Sequence, residues 1–73
     1  MVRYKVDYLT DVQERIDAAI RRDITEDGVA PTVAELAAEL GRSVSAVHYQ
    51  LRELEAKYAI VREPGQPRGI RLT

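Results

Sequence analysis

Apolar residues recur along this chain in two rhythms. Over residues 2–8 they alternate, with Val2, Tyr4, Val6 and Tyr8 on one side and Arg3, Lys5 and Asp7 on the other. A period of two predicts a strand-like arm. The rhythm then changes. Thr10 stands three residues before Gln13, the spacing of a capping box, and Val12, Ile16, Ala19, Ile20 and Ile24 follow largely at steps of three and four. That stripe predicts a first helix, closed by Gly28. Asp23, Glu26 and Asp27 fall in its last turn, where the helix dipole disfavours negative charge.

The same pattern returns on a shorter scale. Val29-Ala30 stands before Pro31, which favours extended backbone, so a very short strand is expected there. Thr32 precedes Glu35 by three, and Val33, Leu36, Ala37 and Leu40 make the stripe of a short second helix closed by Gly41. Ser43 is the candidate cap of a third helix, whose stripe is Val44, Val47, Leu51, Leu54 and Tyr58. Ala59-Ile60-Val61 and Ile70-Arg71-Leu72 then flank the turn-forming string Glu63-Pro64-Gly65-Gln66-Pro67-Arg68-Gly69, which predicts a β-hairpin. Little more than Gly41-Arg42 separates the second helix from the third. That is the helix-turn-helix spacing, and a hairpin directly after it is a wing. The expected fold is mainly α with a small β-hairpin: a single winged helix-turn-helix domain over residues 9–73, preceded by the arm 1–8.

Composition narrows the function classes. A chain of 73 residues with 45% apolar content supports one small core, and the absence of cysteine excludes disulfide or thiolate–metal staples. No apolar run is long enough for a membrane span and no export signal is visible, so a cytoplasmic protein with no membrane partner is expected. The net charge of −1 excludes a bulk polycation. The charge is unevenly placed, however. Residues 1–36 sum to −3 and residues 37–73 to +2, so a basic footprint falls in the C-terminal half.

The third helix presents Ser45, Ala46, Tyr49 and Gln50 away from its apolar stripe. In a helix-turn-helix the N-terminal residues of this helix reach base edges in the major groove. Ser45 can bond to either kind of group, Ala46 can touch a thymine methyl and Gln50 can pair with adenine. An ordinary solvated helix face would look the same. His48 falls at the edge of the stripe, where a partly buried, hydrogen-bonded histidine and a DNA contact are both open. Gln66 and Arg68 occupy the wing, where Arg68 is expected to reach phosphate or the minor groove, or else to form a salt bridge with a residue such as Glu63. Thr32, with the free N–H groups of the second helix, and Arg42 in the turn complete the candidate footprint. No catalytic site is expected: Ser45 and His48 are three apart, but no third group or oxyanion donor accompanies them. One histidine, no cysteine and no calcium-loop pattern leave no metal site and no cofactor.

The residues Pro31-Thr32, Glu35-Leu36-Ala37, Leu40-Gly41, Ser45-Ala46-Val47-His48, Leu51, Leu54-Glu55, Lys57 and Ile60 together resemble the LexA repressor N-terminal domain. The spaced set Arg62, Pro64, Pro67, Arg68 and Ile70 is more specific than any generic helix-turn-helix signature. The resemblance spans roughly residues 9–73 and implies a winged helix that represses transcription by binding double-stranded operator DNA, expected to be palindromic, as a dimer. It places the reading positions on Ser45, Ala46, His48 and Tyr49, with Ser43 near the phosphates. Three departures stand out. The turn before the third helix is shorter than in many relatives. Tyr58 stands where the family usually has glycine. The family's second domain, which dimerises the protein and cleaves its own chain, has no counterpart in these residues. The arm 2–8 is an extra element that could pair with a twofold mate or a partner protein. A rival function class is a winged helix that docks a partner protein rather than reading DNA.

Overall fold

The computed structural model describes residues 9–73; the arm expected over residues 2–8 and the dimer or partner contact assigned to it lie outside the described residues. Helix α1 spans Asp11–Asp27, α2 Val33–Leu40 and α3 Val44–Ala56, followed by strands β1 Ile60–Arg62 and β2 Ile70–Leu72. Both capping boxes form. The Gln13 N–H donates to Thr10 Oγ1 at the start of α1, the Glu35 N–H donates to Thr32 Oγ1 at the start of α2, and each N3 side chain returns a bond to its cap's backbone N–H. Ser43 caps α3 by accepting from the Ala46 N–H at 3.1 Å. Gly28 and Gly41 close α1 and α2 in the left-handed conformation.

The short turn Gly41-Arg42-Ser43 leaves α2 and α3 as a helix-turn-helix, with α1 packed across both. Ile16 and Ile20 from α1, Leu36 from α2, Val47, Leu51 and Leu54 from α3, and Ile60 from β1 are fully buried and form the centre of the core. The two strands pair antiparallel with Ile60 opposite Leu72 and Arg62 opposite Ile70. A two-stranded ribbon of this length has little stability alone. Here β1 lies on α3, β2 reaches α1, and buried Ile60 and Ile70 attach the ribbon to the core. This is the winged helix-turn-helix predicted from the sequence.

Three local expectations are corrected. Val29-Ala30 forms no strand: nothing pairs with it, and Ala30 with Pro31 instead fills the core beside α2. Val44 and Tyr58 do not belong to the buried stripe of α3. Val44 is the first residue of the helix and is 47% exposed. Tyr58 lies past the helix end with φ 63°, and its side chain is 82% exposed. The Tyr58 N–H donates to the Glu55 carbonyl and the Ala59 N–H to the Leu54 carbonyl, the paired bonds of a Schellman stop whose left-handed position usually holds glycine.

Candidate nucleic-acid interface

The buried side of α3 determines what its other side offers. With Val47, Leu51 and Leu54 locked into the core, the helical repeat turns Val44, Ser45, His48, Tyr49 and Arg52 outward. These five residues form one continuous exposed face over the first two and a half turns. His48 is therefore not at a buried edge: it is exposed, between Ser45 and Arg52. Ala46 is half-buried at the border of the face. Sequence reasoning missed Arg52, although it follows Ser45 by seven positions and His48 by four, the spacing of one helix face. Arg42, exposed in the turn, and Ser43 flank the N-terminal end. Among the described residues, Arg42 and Arg52 form no ion pair.

Gln50 is placed differently. Its Oε1 accepts from Gln13 Nε2 at 2.9 Å, so the side chain bridges to α1 and lies half-buried. Gln13 itself is almost wholly buried and uses both ends of its amide: its Oε1 accepts from the Thr10 N–H at 3.1 Å and from Lys57 Nζ at 2.8 Å. This buried junction fixes the rotation of α3 about its axis, and hence the direction of the outward face. It engages the Oε1 of Gln50, one of the residues expected from the sequence to read bases.

The wing departs from expectation at Arg68. Its guanidinium does not project forward from the tip but folds back onto the start of α2. Nη1 donates to Glu35 Oε1 at 2.8 Å and to the Ala30 carbonyl at 3.0 Å, and Nη2 donates to Glu35 Oε2 at 2.9 Å. Glu63, the partner considered from sequence, pairs instead with Arg71 at 3.0 Å, within the hairpin. The Arg68 hydrogen bonds, and then the capping bond from Thr32, hold the Glu35 carboxyl down at about 2, well below its ordinary 4.5. Arg68 is raised, chiefly by Glu35 and additionally by the fields of Asp23 and Asp27. This gives the acidic last turn of α1 a role: the charges of Asp23 and Asp27 favour the charged guanidinium of Arg68, and Asp23 also accepts from Arg22, which forks onto Glu39 of α2.

Thr32 stands half-buried at the N-terminus of α2, its Oγ1 occupied by the Glu35 N–H. Gln66 is exposed at the wing tip, and the loop is closed by the Glu63 N–H donating to the Gly69 carbonyl at 2.7 Å and the Gly69 N–H to the Gln66 carbonyl at 3.1 Å. A Cβ at position 69 would come within 2.7 Å of the Glu63 carbonyl oxygen and 2.8 Å of Gln66 Cβ, so only glycine permits that closure. Among the described residues, no group of three or more His, Cys, Asp or Glu is placed to hold a metal ion, and no helix is long and apolar enough to cross a membrane.

Residues 6–69 match the LexA DNA binding domain family. The chain is similar to "LexA repressor 2" of Xanthomonas oryzae pv. oryzae, 49% identical over 65 residues, which cover 88% of this chain and 30% of that protein. It is 51% identical over 65 residues to the "LexA repressor" of Marinobacter nauticus, covering 88% of this chain and 32% of the relative. It is 48% identical over 69 residues to the "LexA repressor" of Halorhodospira halophila, covering 93% and 30% respectively. The chain thus spans less than a third of the length of these curated relatives.

Proposed function

This chain belongs to the LexA DNA binding domain family, and on that premise we propose that it is the DNA-reading part of a sequence-specific transcriptional repressor, working in the cytoplasm. The observation that carries the reading is the outward face of α3. Ser45, His48 and Tyr49 are turned from the core together in the N-terminal half of the second helix of a helix-turn-helix, with Arg52 following on the same face. A helix so presented lies in the major groove with its N-terminal residues at the base edges.

Within that reading Ser45, Ala46, His48 and Tyr49 address bases. Arg42, Ser43 and Arg52 address the backbone beside them, and the N-terminus of α2 at Thr32 and the wing at Gln66 touch flanking phosphates. The module is small, so high affinity calls for two copies on a palindromic operator with half-sites about one helical turn apart. The reading assigns no catalytic step to these residues.

A salt titration on duplex DNA tests it. Phosphate contacts release counterions, so affinity falls as salt rises. Arg52→Ala is expected to weaken binding to all sequences and to reduce the salt slope by about 1. If affinity is indifferent to salt and Arg52→Ala changes nothing, the outward face docks a protein partner instead.

A further inference from the structure

One side chain ties the wing loop 63–69 to the helical part of the domain. Among the described residues, the only side-chain hydrogen bonds that leave this loop for a point outside the hairpin are those of Arg68 to Glu35 and to the Ala30 carbonyl. The two carboxylate bonds form a planar fork, the arrangement in which arginine cannot be replaced by lysine without loss of geometry. Glu35 Oε1 simultaneously accepts from the Thr32 N–H at 3.0 Å. One carboxylate therefore closes the cap of α2 and holds the wing.

We propose that Arg68 serves DNA binding as a positioning residue rather than as a phosphate contact: through Glu35 it sets the wing at a fixed distance from α2, so that Glu35 is as necessary to operator affinity as Arg68 itself. The proposal rests on the reading that α3 and the wing face DNA. Two features support it. The Arg68 guanidinium directs both terminal nitrogens back onto Glu35 and the Ala30 carbonyl, away from the wing tip. Glu35 in turn sits in the first turn of α2 beside Thr32; unpaired, its carboxylate would repel a phosphate at that helix end, and Arg68 cancels it.

Simple electrostatics and the clamp predict opposite signs for one substitution. Glu35→Gln keeps the capping box, which glutamine also satisfies, and removes only the charge and the fork. If Arg68 were a phosphate contact, freeing it would tighten binding and steepen the salt dependence by about 1. With the clamp, Glu35→Gln weakens operator binding about three- to tenfold at an unchanged salt slope. Arg68→Lys, which keeps the charge but not the fork, gives the same loss. Backbone 15N relaxation of residues 64–67 in the free protein reads the clamp without DNA. Both variants are expected to increase fast motion there while α2 and α3 stay unchanged. Tighter binding by Glu35→Gln, full affinity in Arg68→Lys, or a wing as ordered in the variants as in the parent overturns the proposal. Absence of sequence-dependent DNA binding in the parent protein overturns the DNA reading instead, and the relaxation data still decide whether the clamp exists.

Discussion

Gln13 Nε2 donates to Gln50 Oε1 across 2.9 Å, joining the first turn of α1 to the middle of α3. Gln13 is 3% exposed and holds three partners from three places: the Thr10 backbone, Lys57 and Gln50. Apolar replacement removes all three bonds while keeping the volume of the side chain. Gln13→Leu is therefore expected to cost about 1–3 kcal/mol of stability, measured by urea denaturation. A variant as stable as the parent would show that the junction contributes nothing net.

Tyr58 offers a gain. Its left-handed backbone, φ 63°, carries a side chain that is 82% exposed, so little packing is lost when the side chain is removed. Tyr58→Gly relieves a strain of about 1 kcal/mol and is expected to raise the melting temperature by roughly 4–8 °C. Tyr58→Ala, which keeps a Cβ, recovers less. A fall in melting temperature on Tyr58→Gly would contradict the assignment of strain.

Glu35 gives stability a defined pH dependence. Its carboxyl titrates at about 2 in the folded chain against an ordinary 4.5. A lowered folded-state value favours folding above pH 4.5 and loses that contribution as pH falls toward 2. The melting temperatures of the parent and of Glu35→Gln are expected to differ at neutral pH and to converge between pH 4.5 and 2. A difference that stays constant through this window would contradict the pairing. Because the pair is solvent-exposed, added salt narrows the gap.

Most of the fold is legible in the sequence because its signals are local. Thr10 with Gln13, Thr32 with Glu35, and the terminal Gly28 and Gly41 fix where helices begin and end through bonds that span only a few residues. Element order then gives the winged helix, and the apolar stripe gives the inward side of α3. What fails to read from sequence are the choices made across elements. Arg68 is a charged residue in a proline-flanked loop, which locally looks like a forward-reaching finger. Its partner, Glu35, stands 33 positions away and already has an evident local task as a capping residue. Gln50 has the same history with Gln13, 37 positions away. A side chain with one visible role hides a second one, and only tertiary packing reveals which long-range partner wins. Val44 and Tyr58 fail for another reason. Spacing extends a stripe indefinitely, whereas burial stops where the neighbouring elements stop.

The central claim, that the outward face of α3 reads bases, is tested most directly by selecting bound sequences from a random duplex pool with the parent protein and with Ser45→Ala and Tyr49→Ala. The parent is expected to enrich a defined half-site, repeated as a palindrome. Each variant is expected to lose preference at its own base position by roughly 1–3 kcal/mol, with the salt slope unchanged because neither side chain carries charge. A pool that stays random with the parent, or variants that enrich the parent's sequence unaltered, would contradict it.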